Sequence, residues 1–214
     1  MIATKGSESL FGSAPRSNNL FFEHRTDLIV DLYPAISEFF QRHLNAASLM
    51  VDEIAGPLAS AAELAGAAIL QDQKLLSIGL GPDCASATVF ASLLHQGVLR
   101  ERPALPVVEI AAHQIESVNV GVGWAGQRIQ ALGQPGDVGF IFAALLSHAD
   151  IQRLSQTAEQ RQMQLVWFGN RGPGLNINAN DEEIETRVAL NMTLAICAAR
   201  LIDIHTFGPI EGSK

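Results

Sequence analysis

Two glycines and a carboxylate raise the first chemical question. Residues 74–90 read Lys-Leu-Leu-Ser-Ile-Gly-Leu-Gly-Pro-Asp-Cys-Ala-Ser-Ala-Thr-Val-Phe, an apolar run ending in Gly79-Leu80-Gly81 and a helical pattern opening at Pro82-Asp83. A strand, a tight glycine turn and a helix N-terminus form the arrangement on which α/β proteins hold phosphate, because backbone N–H groups and the helix dipole face the anion. This turn, however, has no hydroxyl, Asn or Lys, and Asp83 sets a negative charge at the helix start. Two unit charges ~4 Å apart near a surface repel by roughly 1–4 kcal/mol. The expectation is that Asp83 caps its own helix and stands where an anion would otherwise sit.

The other reactive residues carry less. His148-Ala149-Asp150 has the composition of a base with a partner, but Ser147 and Asp150 also suit a polar helix start, and that reading is preferred. His95 and His113 have no second ligand at metal spacing. Cys84 follows Asp83 at a helix N-terminus, where a thiol pKa falls, yet the adjacent carboxylate opposes the effect; a small packed residue is the better assignment. The chain contains no Gly-Lys-Ser/Thr phosphate loop and no Gly-x-Ser-x-Gly nucleophile turn.

Elements that position these residues follow from periodicity. Residues 1–30 read as a flexible leader, with Phe21-Phe22 as an isolated apolar pair. Residues 31–72 carry two helices. The first has Leu32, Ile36, Phe39, Phe40, Leu44, Ala47 and Met50 at helical spacing and is broken at Gly56-Pro57; the second runs from Leu58 to Leu70. Such an aromatic stripe outside a sheet has little of its own chain to pack on, so Leu32, Ile36, Phe39 and Phe40 are expected to meet another subunit.

From residue 73 to 209 strands and helices alternate. Strands are expected at Leu75–Ile78, Pro106–Ala111, Val138–Phe142, Leu165–Phe168 and Leu175–Asn178, with helices over Asp83–Arg100, Ile115–Leu132, Ala149–Gln162 and Asp181–Ile204. Continuous apolar strands between helices mean a parallel sheet covered on both faces. Ligands on such sheets sit beyond the carboxyl ends of the strands, here after Ile78 and Phe142.

Bulk properties narrow the function classes. The 214 residues suit one α/β domain with a helical extension, and 48% apolar content fills a core. Asp and Glu number 22 against 14 Lys and Arg, a net charge of −8, so the chain is poorly equipped to grip nucleic acid but suits a basic protein face. Two cysteines without metal spacing fit a reducing cytoplasm. The apolar stretches Val138–Leu146 and Leu190–Ile204 are shorter than the ~20 residues of a membrane span.

Four segments carry a resemblance. They are Ser77-Ile-Gly-Leu-Gly, then Glu101-Arg-Pro-Ala-Leu-Pro, then Ala131-Leu-Gly-Gln-Pro-Gly-Asp-Val, then Leu201-Ile-Asp, in order between Leu32 and Pro209. Together they resemble the sugar isomerase (SIS) domain of bacterial phosphoheptose isomerases and of their non-isomerase relative, the DnaA initiator-associating protein DiaA. The resemblance implies a three-layer αβα, flavodoxin-like fold with a five-stranded parallel sheet. It also implies N-terminal helices packed between subunits, usually in a homotetramer, and a phosphosugar pocket built from two strand-to-helix loops.

Residue by residue, the resemblance also implies losses. The first loop of the family reads roughly Cys-Gly-Asn-Gly-Gly-Ser; here Gly79 and Gly81 match, while Leu80 and Asp83 stand at the Asn and Ser positions. The second, Ser-Thr-Ser/Arg-Gly-Asn-Ser, is Ala143-Ala144-Leu145-Leu146-Ser147-His148, with His148 facing the pocket by analogy. Positions that supply metal ligands and acid–base groups in the family read Val89, Leu93, Val188 and Ile196, none able to bind metal or move a proton. The resulting expectation is a non-catalytic, cytoplasmic, homo-oligomeric regulatory protein without metal or cofactor. Its degenerate ligand loops are marked by Gly79, Gly81, Asp83, Ser147 and His148, and DnaA is the partner the resemblance suggests. The alternative is a carbohydrate-derivative binding protein or an isomerase with an altered substrate.

Overall fold

A computed structural model of the protein describes residues 31–97, 100–111, 118–178 and 183–209. The leader with Phe21-Phe22, His113, and the acidic pair Asp181-Glu182 lie outside the described residues. The chain divides into two units, residues 1–37 and 38–214. In the first, Asp31 Oδ1 accepts the Tyr33 N–H at 3.0 Å where a helix begins, and Leu32 and Ile36 are exposed. The second holds the sheet and every site described below.

Helix α1 runs unbroken from Tyr33 to Leu70 with Pro57 inside it, so the two helices expected on either side of Gly56-Pro57 are one. A proline removes one backbone rung and disfavours a helix interior by about 3 kcal/mol. Burial offsets this: Met50, Ile54, Leu58, Ala61, Ala62 and Ala65 continue one buried face straight through the proline. No Cβ neighbour crowds Gly56, which leaves the backbone room to adjust there.

Strand β1 (Leu75–Gly79) leads through a 3₁₀ turn (Gly81–Asp83) into α2 (Cys84–Gln96). Then follow β2 (Val107–Ala111), α3 (Val118–Leu132), β3 (Val138–Phe142), α4 (His148–Gln160), β4 (Gln164–Phe168), β5 (Leu175–Ile177) and α5 (Ile184–Phe207). All strand pairs are parallel, in the order β2-β1-β3-β4-β5. The five expected strands are present, and their alternate side chains feed two separate cores. Leu75, Val107, Phe140, Phe142, Val166 and Phe168 pack with α1, α2 and α5; Leu76, Ile78, Ile110, Ile141, Leu165 and Trp167 pack with α3 and α4. That is the three-layer αβα arrangement.

Helix α2 stops earlier than expected. Gly97 takes the left-handed conformation (φ +60°) and its N–H returns to the Leu93 carbonyl, ending the helix well before Pro103. Helix α5, at 24 residues, is long and apolar enough to match a membrane span, as is α1, contrary to the shorter apolar stretches read from sequence. Helix α5 packs on α2 and buries Leu190, Leu194, Ala195, Ala198 and Ile202, so it passes that test as a core helix.

Segments carrying the family resemblance turn out to be joints of the fold. Arg102, from the segment beginning Glu101, donates to the carbonyls of Leu93 (3.2 Å) and Leu94 (2.8 Å) and pairs with Asp203 of the last segment. Asp137, after the turn at Pro135-Gly136, accepts from the Lys74 N–H at 3.0 Å, the Gln134 N–H at 2.8 Å and Lys74 Nζ at 2.5 Å.

Candidate functional site

The carboxyl end of β1 shows why the glycine turn exists. A Cβ on Gly79 would lie 2.6 Å from Cys84 Cα and 2.8 Å from Ala87 Cβ, so only glycine lets α2 sit this close to the strand. Ser77 Oγ donates to the Ala87 carbonyl at 2.7 Å and ties the same contact. Gly81 has φ +60°, which turns the chain into the helix. Leu80, at the Asn position of the resemblance, is buried at 2% exposure and packs in the α3/α4 core.

Asp83 is fully buried and makes no side-chain capping bond to α2, which corrects the expected self-cap. Its carboxylate instead crosses the end of the sheet. Oδ2 accepts the N–H of Ala144, in the loop after β3, at 2.6 Å, and Oδ1 accepts from Asn191 Nδ2 of α5 at 2.9 Å. Hydrogen bonds to an ionised acceptor are worth roughly twice neutral ones, and two donors from different elements outcompete the helix's own N–H groups. Burial pushes the Asp83 carboxyl above the usual range, while Asn191, the Ala144 N–H and the positive charge of Arg187 work in the opposite direction.

Around this carboxylate the polar groups are incompletely matched. Asn191 is fully buried, and its Oδ1 has no hydrogen-bond partner. Arg187 Nε is likewise buried without one. Asn170 Nδ2 bonds the Ala143 carbonyl, and Gly169 (φ +83°) leaves just enough space for Asn191, whose Nδ2 would lie 2.5 Å from a Cβ there. An open cleft of about 420 Å³ is lined by Ala144, whose N–H Asp83 accepts, and by Leu145, Leu146, Ser147, Asp150, Asn170 and Arg187.

Ser147 is the N-cap of α4: its Oγ accepts the Asp150 N–H at 3.2 Å and donates to Asp150 Oδ2 at 2.6 Å. His148 begins α4, is exposed, and is not among the cleft-lining residues. Gly79 thus ends β1 with Gly81 and Asp83 after it, and Ser147 and His148 lie after β3 at the start of α4. Sequence reading missed Asn191, Arg187 and Asn170. The available signal was Asn191, an uncharged polar residue between Leu190 and Leu194 on the mainly apolar buried face of that helix.

No protein-family model matches the chain. Among curated relatives, the phosphoheptose isomerase of Halorhodospira halophila (strain DSM 244 / SL1) is 28% identical over 182 residues, spanning 82% of this chain and 92% of that protein. The phosphoheptose isomerase of Azoarcus sp. (strain BH72) is 26% identical over 182 residues, with the same coverage of 82% and 92%. Among solved structures, phosphoheptose isomerase from Neisseria gonorrhoeae superposes with a TM-score of 0.69 at 19% identity, covering 80% of this chain and 98% of that one. The Francisella tularensis enzyme gives 0.68 at 18% identity, covering 79% and 97%. The chain is thus similar to phosphoheptose isomerases over most of its length and shares the fold of their solved structures.

In this chain, the positions that the resemblance assigns to metal and acid–base groups fall on two packed helices. Val89 and Leu93 are half-buried on α2; on α5 Val188 is half-buried and Ile196 is exposed. Among the described residues, no three His, Cys, Asp or Glu side chains converge as a metal site. Where the resemblance places phosphate-binding hydroxyls, this chain places Ala143, Ala144 and an internal carboxylate.

Proposed function

We propose that this SIS-domain chain has no isomerase chemistry and acts as a homo-oligomer, a tetramer by resemblance, that binds another protein through its surface. The observation that carries this reading is the buried Asp83 carboxylate, which holds the Ala144 N–H and the Asn191 amide. A donor after β3 and another on α5 therefore already serve a carboxylate belonging to the chain. Apolar Val89, Leu93, Val188 and Ile196 support the same conclusion, since none moves a proton or binds a metal. The partner suggested by resemblance to DiaA is the replication initiator DnaA, in the cytoplasm. A net charge of −8 suits a basic protein face rather than nucleic acid.

Two measurements on the full-length protein test this. Immobilised protein is expected to retain purified DnaA, and a screen of sugar phosphates is expected to give neither turnover nor a thermal shift. Isomerisation of any sugar phosphate would overturn the non-catalytic reading, and failure to retain DnaA would remove that partner. A second reading, a carbohydrate-derivative binding protein, is favoured by one observation: the cleft presents Ser147, Asn170 and Arg187 together. A saturable thermal shift without turnover would select it.

A further inference from the structure

We propose that His43 makes self-association of this chain sensitive to pH: two copies close their α1 stripes over its neutral ring, and a second proton on the ring parts them. This rests on the reading of the chain as a homo-oligomer and adds the control on that contact.

Helical spacing places Phe39, Phe40, His43, Ala47, Met50 and Ile54 along one side of α1. Met50 and Ile54 are buried in the core, whereas Phe39 and Phe40 on the same side are exposed. His43 is the one ionisable residue among these six. The charged residues of this stretch, Glu38, Arg42, Asp52 and Glu53, flank the stripe or lie opposite it. Copies of a chain with a net charge of −8 repel one another, and a stripe free of carboxylates is where they approach at least cost. A second copy presents the same stripe, so the contact is self-complementary. The ring geometry suits a neutral imidazole. His43 Nδ1 lies 2.7 Å from the Phe39 carbonyl oxygen, an acceptor, which assigns the proton to Nδ1. The His43 and Phe39 rings pack with centroids 4.1 Å apart. Nε2, the remaining nitrogen, is buried without a hydrogen-bond partner. A second proton would therefore arrive on Nε2, where no acceptor meets it, and would set a charge in an apolar contact. Unpaired buried charge is strongly unfavourable, and opening the contact returns that charge to water.

Charges on neighbouring elements do not relieve this. Glu183, at the start of α5, is held by Arg42, which also reaches Glu38 at 3.4 Å. Leu190, the α5 residue beside this part of α1, is uncharged. Arg171, before β5, shares a cleft with Glu53 and Ile54, well along the helix from His43. A facing copy of the stripe brings only another His43. Assembly thus binds the ring with one proton fewer, acid drives dissociation, and the effect multiplies with the number of copies.

The test compares full-length wild type with His43→Phe and His43→Lys. Association is measured by sedimentation and light scattering at about pH 8 and about pH 5.5, the interval over which histidine changes charge, at equal ionic strength. The wild-type dissociation constant is expected to rise about tenfold or more at the lower pH, with far-UV circular dichroism unchanged. His43→Phe is expected to stay assembled at both pH values, and His43→Lys, with a permanent charge, to be dissociated at both. Only residue 43 differs, so every other titrating group, Asp83 included, cancels in the comparison. Wild-type association that is the same at both pH values overturns the proposal. So does a His43→Phe protein that dissociates in acid as wild type does, or a His43→Lys protein that assembles normally. Loss of helix in step with dissociation would make the transition unfolding and overturn it as well. A wild type that is monomeric even at the higher pH defeats the homo-oligomer reading and this proposal with it, whereas an oligomer indifferent to pH defeats the proposal alone.

Discussion

Asp83 combines features that rarely coexist: a carboxyl group without solvent exposure, and donors drawn from a loop and from the last helix rather than from its own. Desolvation outweighs these donors, so the folded protein holds the Asp83 proton more tightly than the unfolded chain does. The sign of the linkage follows. Stability from this group falls as pH rises, starting near the ordinary carboxyl pKa of about 3.9 and levelling off above the raised native value. Asp83→Asn has no such titration. Its amide also suits the surroundings: the new oxygen accepts the Ala144 N–H, and the new NH₂ donates to the unpartnered Asn191 Oδ1 once that amide is flipped. Melting curves from acidic to neutral pH are expected to show the variant gaining on wild type as pH rises, then running parallel. A difference that stays flat across the range, or that shrinks as pH rises, would contradict the raised native pKa. Gly79 tests the other half of the turn. Gly79→Ala forces a Cβ to within 2.6 Å of Cys84 Cα, and backbone cannot yield as a flexible side chain does. A loss of roughly 2–4 kcal/mol in denaturant unfolding is expected, in the range of overpacked core substitutions and beyond.

Element by element, the strands were the readable part of this chain. Each is a mainly apolar run of three to five residues with turn residues beside it, and full burial of the central strands β1 and β3 makes their runs unambiguous once helices alternate with them. Helix ends were less readable. Gly97 stops α2 by adopting φ +60°, a conformation that sequence periodicity does not register, so the helix ends before the expected Arg100. Pro57 misled in the opposite direction: local propensity breaks α1 there, but a buried face continues from Ile54 to Leu58 and Ala61 and holds the helix straight through. At the site, the charge conflict in the glycine turn was legible and its resolution was not. The donors to Asp83 come from residues 61 and 108 positions away, and single-sequence patterns carry no information on such pairings. The proline also supplies a measurement. If tertiary packing alone maintains α1, Pro57→Ala restores a rung and raises stability by about 1–2 kcal/mol, the helix-interior gain less the entropy returned to the unfolded chain. Denaturant unfolding that shows no gain would mean the backbone around Gly56 already accommodates the ring without loss.

At the scale of the whole molecule the unanswered feature is apolar surface on α1. Within residues 38–214, Phe39, Phe40, Leu44, Leu49 and Val51 are 48–79% exposed, and the rings of Phe39 and Phe40 pack edge to face at 5.7 Å with no core beneath them. Leu32 and Ile36 are also exposed in the first unit. Buried apolar area is worth roughly 25 cal/mol per Å², and monomers rarely leave large aromatic and aliphatic groups in water side by side. Covering them with a second copy of α1 accounts for their exposure and serves the proposed surface function, since identical weak sites on one assembly bind a partner with an avidity that a single copy lacks. Light scattering on a sizing column is therefore expected to return a multiple of the 22.9 kDa chain mass. Phe40→Glu combined with Leu44→Glu is expected to shift the elution toward the monomer. Because association stabilises the folded chain by mass action, wild-type Tm is expected to climb with protein concentration while that of the double variant does not. A wild-type protein that remains monomeric at high micromolar concentration would leave those side chains without a partner subunit and would detach the protein-binding reading from multivalency. Retention of DnaA by such a monomer would then have to come from a single surface, and the same double variant would show whether α1 is part of it.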